Sequence, residues 1–144
     1  MQEIIVKSRR EIEDLLLNSE PNSFVISITD PNYKMAKINQ EEKNILRLQF
    51  YDIDQIIKEE GVILYPISDN QCEQIKYFVE YNFKNIIDLY VHCEAGISRS
   101  AGIAAAIAKY YFGDDSKYFN KYLPNRYCYN KLLNKFREEE KYEI

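Results

Sequence analysis

The sequence predicts a single α/β domain in which helices flank a central, mainly parallel sheet. Short apolar runs alternate along the chain with amphipathic helical segments, which is the pattern of successive strand–helix units. The 144 residues are enough to bury one core, whereas two domains of half that length would each be marginal. The chain shows no internal repeat, low-complexity tract or linker. We therefore treat residues 1–144 as one domain.

The first half of the chain predicts three strands and one helix. Ser8 and Glu11 have the spacing of a capping box, which starts a helix through "REIEDLLLN" (10–18). The predicted strands are "EIIVKS" (3–8), "SFVISI" (23–28), which ends at the turn signal "TDPN" (29–32), and "ILRLQF" (45–50), which runs out into "YDID". Residues 55–68 follow no regular pattern.

The second half predicts helix, strand, helix and helix. Ser68 and Gln71 again have capping-box spacing, so a helix begins there. Pro124 and Asn125 break the chain before the last helix. Between these two helices lie an apolar strand, "NIIDLYVH" (85–92), and a helix of small residues, "RSAGIAAAIAKYYF" (99–112). The helix after Ser68 has one face formed by Cys72, Ile75, Phe78, Val79 and Asn82. The helix after Asn125 has an apolar face formed by Tyr129, Leu132, Leu133 and Phe136.

Charge and cysteine content exclude several classes of protein. The net charge is −4 and the 19 basic residues are spread along the chain, so no basic stripe predicts nucleic-acid binding. Charges interrupt the first apolar residues, "MQEIIVKSRREIEDLLL", so we predict no signal peptide or membrane span and expect a cytoplasmic protein. Three irregularly spaced cysteines predict reduced thiols rather than disulfides or a zinc site. We expect no metal and no cofactor.

The stretch "VHCEAGISRSAG" (91–102) contains the strongest functional signal. It places Cys93 at the end of a predicted strand and Arg99 at the start of a predicted helix. A loop this short must wrap tightly, so its N–H groups and the helix dipole would form a concavity for an anion. Gly96 permits a turn or a close approach that a side chain would obstruct. An oxyanion of the size of phosphate fits this prediction.

The side chains around this loop suit phosphate chemistry. The planar guanidinium of Arg99 can bind two phosphate oxygens at once. The same positive field favours the nucleophilic thiolate form of Cys93. His92 can support the loop through a hydrogen bond, and the Ser100 hydroxyl can stabilise the sulfur when it departs. The alternative, a core thiol beside a surface arginine, would require five residue types to fall at these offsets by chance.

The segment "HCEAGISRS" resembles the signature loop of the cysteine-dependent protein phosphatases, and "GISRS" is most similar to their dual-specificity branch. The resemblance implies a dual-specificity phosphatase-like fold, with Cys93 as nucleophile, Arg99 as phosphate clamp, and Ser100 and His92 in supporting roles. It extends more loosely over residues 45–136, including the pair Pro124–Asn125. The implied phosphate-binding loop consists of Glu94, Ala95, Gly96, Ile97, Ser98 and Arg99.

This family usually donates a proton to the leaving group from an Asp on a mobile loop. Asp52 and Asp54 directly follow the strand "ILRLQF", where the dual-specificity pattern places its acid, and we prefer Asp52 because it comes first. Asp69 lies just inside a predicted helix, where its carboxylate complements the helix dipole. The segment from Asp52 to Cys93 is longer than the roughly thirty residues usual in this branch. Its extra residues, including "KEEGVILYP", predict either a flap over the site or a surface detour.

The resemblance implies a phosphorylated protein or peptide as substrate, carrying phosphotyrosine and, for a shallow site, phosphoserine or phosphothreonine. No lysine lies inside the loop, which disfavours polyanionic lipid headgroups and RNA triphosphates. We expect Arg126 to pair with a helix carboxylate rather than with substrate. Two alternatives remain, namely a pseudophosphatase that only captures a phosphorylated partner, and a redox sensor that pairs Cys93 with Cys128.

Overall fold

A four-stranded parallel sheet forms the centre of the protein in a computed structural model that describes residues 1–138. Its strands are β1 (Glu3–Ser8), β2 (Ser23–Thr29), β3 (Ile45–Gln49) and β6 (Asp88–Cys93), in the spatial order β1-β6-β2-β3. Cys93 pairs in register with Ser8 on β1, and His92 pairs with Ser27 on β2. The predicted α/β architecture with a parallel sheet is therefore confirmed. The C-terminal end of β6 lies between β1 and β2.

Within residues 1–138, five α-helices cover the two faces of the sheet, namely α1 (Arg9–Asp14), α2 (Asp69–Asn82), α3 (Arg99–Phe112), α4 (Ser116–Lys121) and α5 (Arg126–Arg137). The capping boxes predicted at Ser8 and at Ser68 are both present. The large core lies between the sheet and helices α2, α3 and α5, while α1 closes a smaller cluster around Ile12 and Val25 on the opposite face. Within residues 1–138, none of these helices is long and apolar enough to cross a membrane.

The first helix is shorter than the sequence predicted. It ends at Asp14, and a 3-10 turn over Leu17–Ser19 replaces its predicted second half. Leu15 has extended backbone, and the exposed Leu16 forms an isolated parallel bridge with Asn39. This bridge, together with the burial of Leu17, overrides the helical propensity of the leucine run.

A hairpin and a short helix were absent from the prediction. Residues 57–64, within the irregular segment, form an antiparallel hairpin of β4 (Ile57–Glu59) and β5 (Val62–Leu64). Its two-residue turn places both Glu60 and Gly61 at positive φ, which suits a right-twisted hairpin. The short helix α4 follows α3, and its buried Tyr118 donates a hydrogen bond to the Ile4 carbonyl of β1 at 2.7 Å.

Candidate active site

The loop between β6 and α3 is held from outside by its carbonyl groups. Glu94 O accepts a hydrogen bond from the backbone N–H of Arg9 at 3.1 Å, and Ser98 O accepts one from Asn125 N at 2.9 Å. Backbone N–H groups from Glu94 to Ser100 donate no hydrogen bond to any group of residues 1–138. Consecutive N–H groups of this kind, followed by a helix N-terminus, are the donors that bind an oxyanion.

Gly96 allows this loop to lie directly against the junction of β1 and α1. Its φ is +70°, and a Cβ added there would lie 2.6 Å from Ser8 N and 2.7 Å from the Lys7 carbonyl carbon. The site therefore shows both the turn and the close approach for which glycine was predicted. Beside it, the Arg9 guanidinium pairs with Glu94 Oε1 at 2.9 Å, so the Glu94 side chain is held on the outside of the loop.

The thiol at the end of β6 is surrounded by polar partners. Cys93 is buried, and its Sγ lies 3.1 Å from Ser100 Oγ. His92 is also buried, and its Nδ1–H donates to the Cys93 carbonyl at 3.2 Å, since a carbonyl oxygen only accepts. Its Nε2 therefore accepts the hydroxyl hydrogen of Ser27 at 2.6 Å. Burial lowers the pKa of His92 to about 4, which keeps the ring neutral.

Arg99 is buried beneath the loop and reaches two groups at the ends of neighbouring strands. Its Nη1 donates to Asp30 Oδ1 and to Phe50 O, each at 2.7 Å. Its Nε is buried and finds no hydrogen-bond acceptor among residues 1–138. From the sequence, Asp30 is predicted only to lie in the turn "TDPN". A carboxylate directly after a parallel strand was the available signal, because such strand ends meet where α/β proteins bind ligands.

Contacts with the loop distinguish the candidate acids. Asp52 Oδ1 accepts hydrogen bonds from Ser98 Oγ and Asn125 Nδ2, each at 2.8 Å. Asp54 is exposed and forms no hydrogen bond or ion pair within residues 1–138. Asp69 lies at the start of α2 and pairs with Lys135 Nζ at 2.9 Å, which lowers the pKa of the Asp69 carboxyl. The structure thus places Asp52, and not Asp69, at the loop.

Asn125 joins three parts of this site, a role that the sequence analysis missed. Its Oδ1 caps α5 by accepting from Cys128 N at 3.0 Å, and its backbone N–H binds Ser98 O. Its Nδ2 reaches Asp52 as described above and also the Ile53 carbonyl at 3.3 Å. An Asn following a proline at a helix start was the signal, because such residues cap helices with their side chains.

Arg126 does not pair with a helix carboxylate, so that expectation was wrong. Its guanidinium instead lies over the ring of Phe119, 4.9 Å from the centroid, and it makes no ion pair within the described residues. Stacking is available because α4, which the sequence analysis did not predict, brings Phe119 beside the start of α5. A cavity of about 520 Å³ opens there, lined by Asp52, Ile53, Asp54, Ile57, Ser98, Asn125, Arg126 and Tyr127.

The two remaining thiols are protonated core groups. Cys72 and Cys128 are free and buried. Burial raises the pKa of Cys72 to about 12 and raises that of Cys128 as well. A thiol that stays protonated is a poor partner for disulfide formation with Cys93, so these surroundings do not favour the redox-sensor interpretation. Among residues 1–138, no group of three or more His, Cys, Asp or Glu side chains could hold a metal ion.

Solved phosphatase structures share this fold over nearly the whole chain. Human DUSP28 is 13% identical with a TM-score of 0.64, covering 97% of this chain and 95% of its own. The human tyrosine phosphatase-like serine/threonine/tyrosine-interacting protein is 19% identical with a TM-score of 0.59, covering 99% and 98%. The PTP-2 phosphatase of Cydia pomonella is 16% identical with a TM-score of 0.63, covering 93% and 86%.

These similarities show that the chain has the fold of the compact dual-specificity-like phosphatases, as the signature loop predicted. No protein-family model and no curated protein sequence matches the chain.

Proposed function

We propose that this chain is a metal-independent phosphoprotein phosphatase that works, as one domain, through a phosphocysteine intermediate. The observation that carries the proposal is the position of Cys93. Its Sγ lies 3.1 Å from Ser100 Oγ at the base of a loop whose N–H groups from Glu94 to Ser100 have no other acceptor within residues 1–138. A nucleophile beneath free oxyanion donors is the arrangement that phosphoryl transfer requires.

In the first step, the Cys93 thiolate attacks phosphorus and the bond to the leaving oxygen breaks. The loop N–H groups and the Arg99 guanidinium stabilise the charge on the equatorial oxygens. Asp52 donates its proton to the leaving oxygen, so the product departs as an alcohol or phenol. Its contacts with Ser98 and Asn125 hold this carboxyl beside the loop.

In the second step, water attacks phosphorus and the phosphorus–sulfur bond breaks. The Asp52 carboxylate accepts a proton from that water, which returns the acid to its starting form. The sulfur leaves as a thiolate, and the Ser100 hydroxyl donates a hydrogen bond to it across the 3.1 Å separation. The neutral His92 ring positions the Cys93 carbonyl and takes no proton in this cycle.

The proposed substrate is a phosphorylated protein or peptide, with phosphotyrosine as the primary group and phosphoserine or phosphothreonine as further groups. The variable loop positions Glu94, Ala95, Ile97 and Ser98 add no positive charge. Arg9, which contacts Glu94, is neutralised by that ion pair. A single phosphate monoester therefore suits the loop better than a polyanionic headgroup. The three free, buried cysteines are suited to a reducing compartment, so we propose the cytoplasm.

A second candidate function is a phosphate-binding module that captures a phosphorylated partner without turnover. It is favoured by the engagement of Asp52, whose Oδ1 already accepts two hydrogen bonds from the protein at 2.8 Å. The loop N–H groups and Arg99 would bind phosphate whether or not this carboxyl supplies a proton.

The pH dependence of kcat/KM separates the two functions and identifies the acid. With phenyl phosphate, a poor leaving group, we expect wild type to lose activity as the pH rises and the acid deprotonates. Asp52→Asn should lower kcat/KM by about 10²–10⁴-fold and abolish this alkaline limb. Asp54→Asn is the matched control, since Asp54 is exposed nearby, and should retain the limb. If Asp54→Asn alone abolished it, Asp52 would not be the acid.

A further inference from the structure

Arg126 is a cation at the edge of the candidate site that the proposed reaction does not use. Its side chain is exposed and makes no ion pair within residues 1–138. The guanidinium lies over the Phe119 ring, 4.9 Å from the centroid. Such stacking orients the planar group and leaves the N–H donors at its edges available. Arg126 is therefore an oriented cation that can bind an external anion.

A cavity of about 520 Å³ connects Arg126 with the phosphate-binding loop. It is lined by Arg126, by Ser98 of the loop and by Asp52, the proposed acid. Ser98 Oγ donates to Asp52 Oδ1 at 2.8 Å, so these two residues form one wall of the cavity. The rest of a substrate is attached to the leaving oxygen, which Asp52 must reach to protonate it. A bound substrate thus continues from Asp52 into the cavity that Arg126 lines.

The charges that line this cavity suit a single carboxylate. Asp52, Asp54 and Arg126 are its charged residues, and Asp52 is uncharged when it acts as an acid. No ion pair joins Arg126 to Asp54. A guanidinium binds a carboxylate through two parallel N–H donors. A dianionic phosphate in the same space would be repelled more strongly by Asp54, so a carboxylate is the better ligand.

We propose that Arg126 is a specificity-determining residue, which binds the carboxylate of an Asp or Glu side chain that flanks the phosphorylated residue of the substrate. The inference rests on the proposed function and adds a feature of the peptide to it. The net charge of the protein is −4, so its overall field favours basic peptides. A preference for an acidic neighbour therefore requires a local cation, and Arg126 is the cation that lines this cavity.

Three phosphotyrosine peptides test this role, identical except for Glu, Gln or Lys on both sides of the phosphotyrosine. We expect the wild-type kcat/KM to be about 2- to 5-fold higher for the Glu peptide than for the Gln peptide, which is the effect of a solvent-accessible ion pair. This ratio should fall towards unity in about 1 M NaCl. Arg126→Ala should abolish the preference, and Arg126→Glu should reverse it in favour of the Lys peptide. A merely structural role of Arg126 would change all three peptides alike.

Lys84→Ala is the matched control for net charge. Lys84 is exposed between α2 and β6, at the end of the sheet opposite the loop. Its replacement removes one positive charge, as Arg126→Ala does, but leaves every residue of the cavity unchanged. We expect Lys84→Ala to retain the wild-type ratio between the Glu and Gln peptides. Loss of the ratio in Lys84→Ala would assign the preference to net charge and overturn the inference.

Other outcomes would overturn the inference while leaving the proposed function intact. These are equal kcat/KM values of wild type for the Glu and Gln peptides, or a preference that survives Arg126→Ala. If wild type bound the peptides without turnover, the proposed function would fail. The inference would then stand only if the Glu peptide bound more tightly than the Gln peptide and Arg126→Ala removed that difference. Wild type that bound neither the peptides nor tungstate, an oxyanion of phosphate-like shape, would end both.

Discussion

At the scale of single residues, His92 shows how burial decides the role of a titratable group. It is the only histidine in the chain and adjoins the proposed nucleophile, so its position alone would suggest an acid or a base. Its ring is buried between β6 and β2, where Nε2 accepts from Ser27 Oγ and Nδ1–H donates to the Cys93 carbonyl. Because both ring nitrogens are engaged in hydrogen bonds and the ring is neutral, His92 positions the loop and does not exchange protons with substrate.

The burial of His92 predicts a specific loss of stability in mild acid. Its pKa is about 4 in the folded protein and about 6.5 in the unfolded chain, so only the unfolded chain takes up a proton between these values. Stability is therefore fully present above pH 6.5 and falls by roughly 1.4 kcal/mol per pH unit as the pH drops towards 4.

Urea unfolding at pH 7, 6 and 5 measures this effect, and most carboxyl groups still titrate below that range. His92→Gln is the control, since it should be less stable overall but almost independent of pH there. A wild-type free energy of unfolding that stayed constant from pH 7 to pH 5 would contradict the buried neutral ring.

At the scale of elements, the contact between α3 and α5 holds the loop and Asp52 together. The small residues of α3 are buried against its neighbours, and Gly102 faces the first turn of α5. Asn125 caps α5 and binds both Ser98 and Asp52. Any change in the spacing of these two helices therefore moves Asp52, the proposed acid, relative to the loop.

Gly102→Ala tests this coupling through the sign of its effect. Helix propensity alone predicts that alanine stabilises α3 by about 1 kcal/mol. However, a Cβ at this position would lie 2.6 Å from Asn125 O and 3.3 Å from Cys128 Cβ. We expect overpacking to prevail, lowering the free energy of unfolding by about 1–3 kcal/mol and reducing kcat/KM. Urea titration and steady-state kinetics measure both, and a more stable variant of full activity would contradict this contact.

The hairpin β4–β5 is the element in which this chain departs most from the loop pattern that its signature resembles. It follows Asp52 and accounts for much of the long segment before β6. Val62 and Ile63 are exposed on it, so it contributes little to the core. Asp52 is anchored by Ser98 and Asn125, which lie outside the hairpin. The extra residues thus do not hold Asp52, the proposed acid, in place.

At the scale of the whole molecule, the sequence predicted most of the sheet but less of its surroundings. The strands and the two capping boxes have local signals, and their observed bounds lie close to the predicted ones. The hairpin depends on a turn with positive φ, and α4 depends on the contact of Tyr118 with the distant Ile4. Neither feature produces a periodic pattern of apolar residues in the sequence.

The residues of the candidate site also differ in whether the sequence alone could predict their grouping. Cys93, Arg99 and Ser100 lie within one short loop, so their grouping follows from sequence spacing alone. Asp30 and Asn125 come from segments far apart in the chain, and only the parallel sheet and the packing of α5 bring them to the loop. Their roles could be recognised once the ends of neighbouring strands were placed side by side.

Hydrolysis of p-nitrophenyl phosphate in the presence of a chelator is the most direct test of the central claim. We expect wild type to turn over, and Cys93→Ser to lose all measurable turnover while it still binds tungstate and unfolds at a similar urea concentration. Loss of the thiol removes the nucleophile but leaves the loop N–H groups and Arg99 in place. Near-normal turnover by Cys93→Ser would contradict the phosphocysteine mechanism.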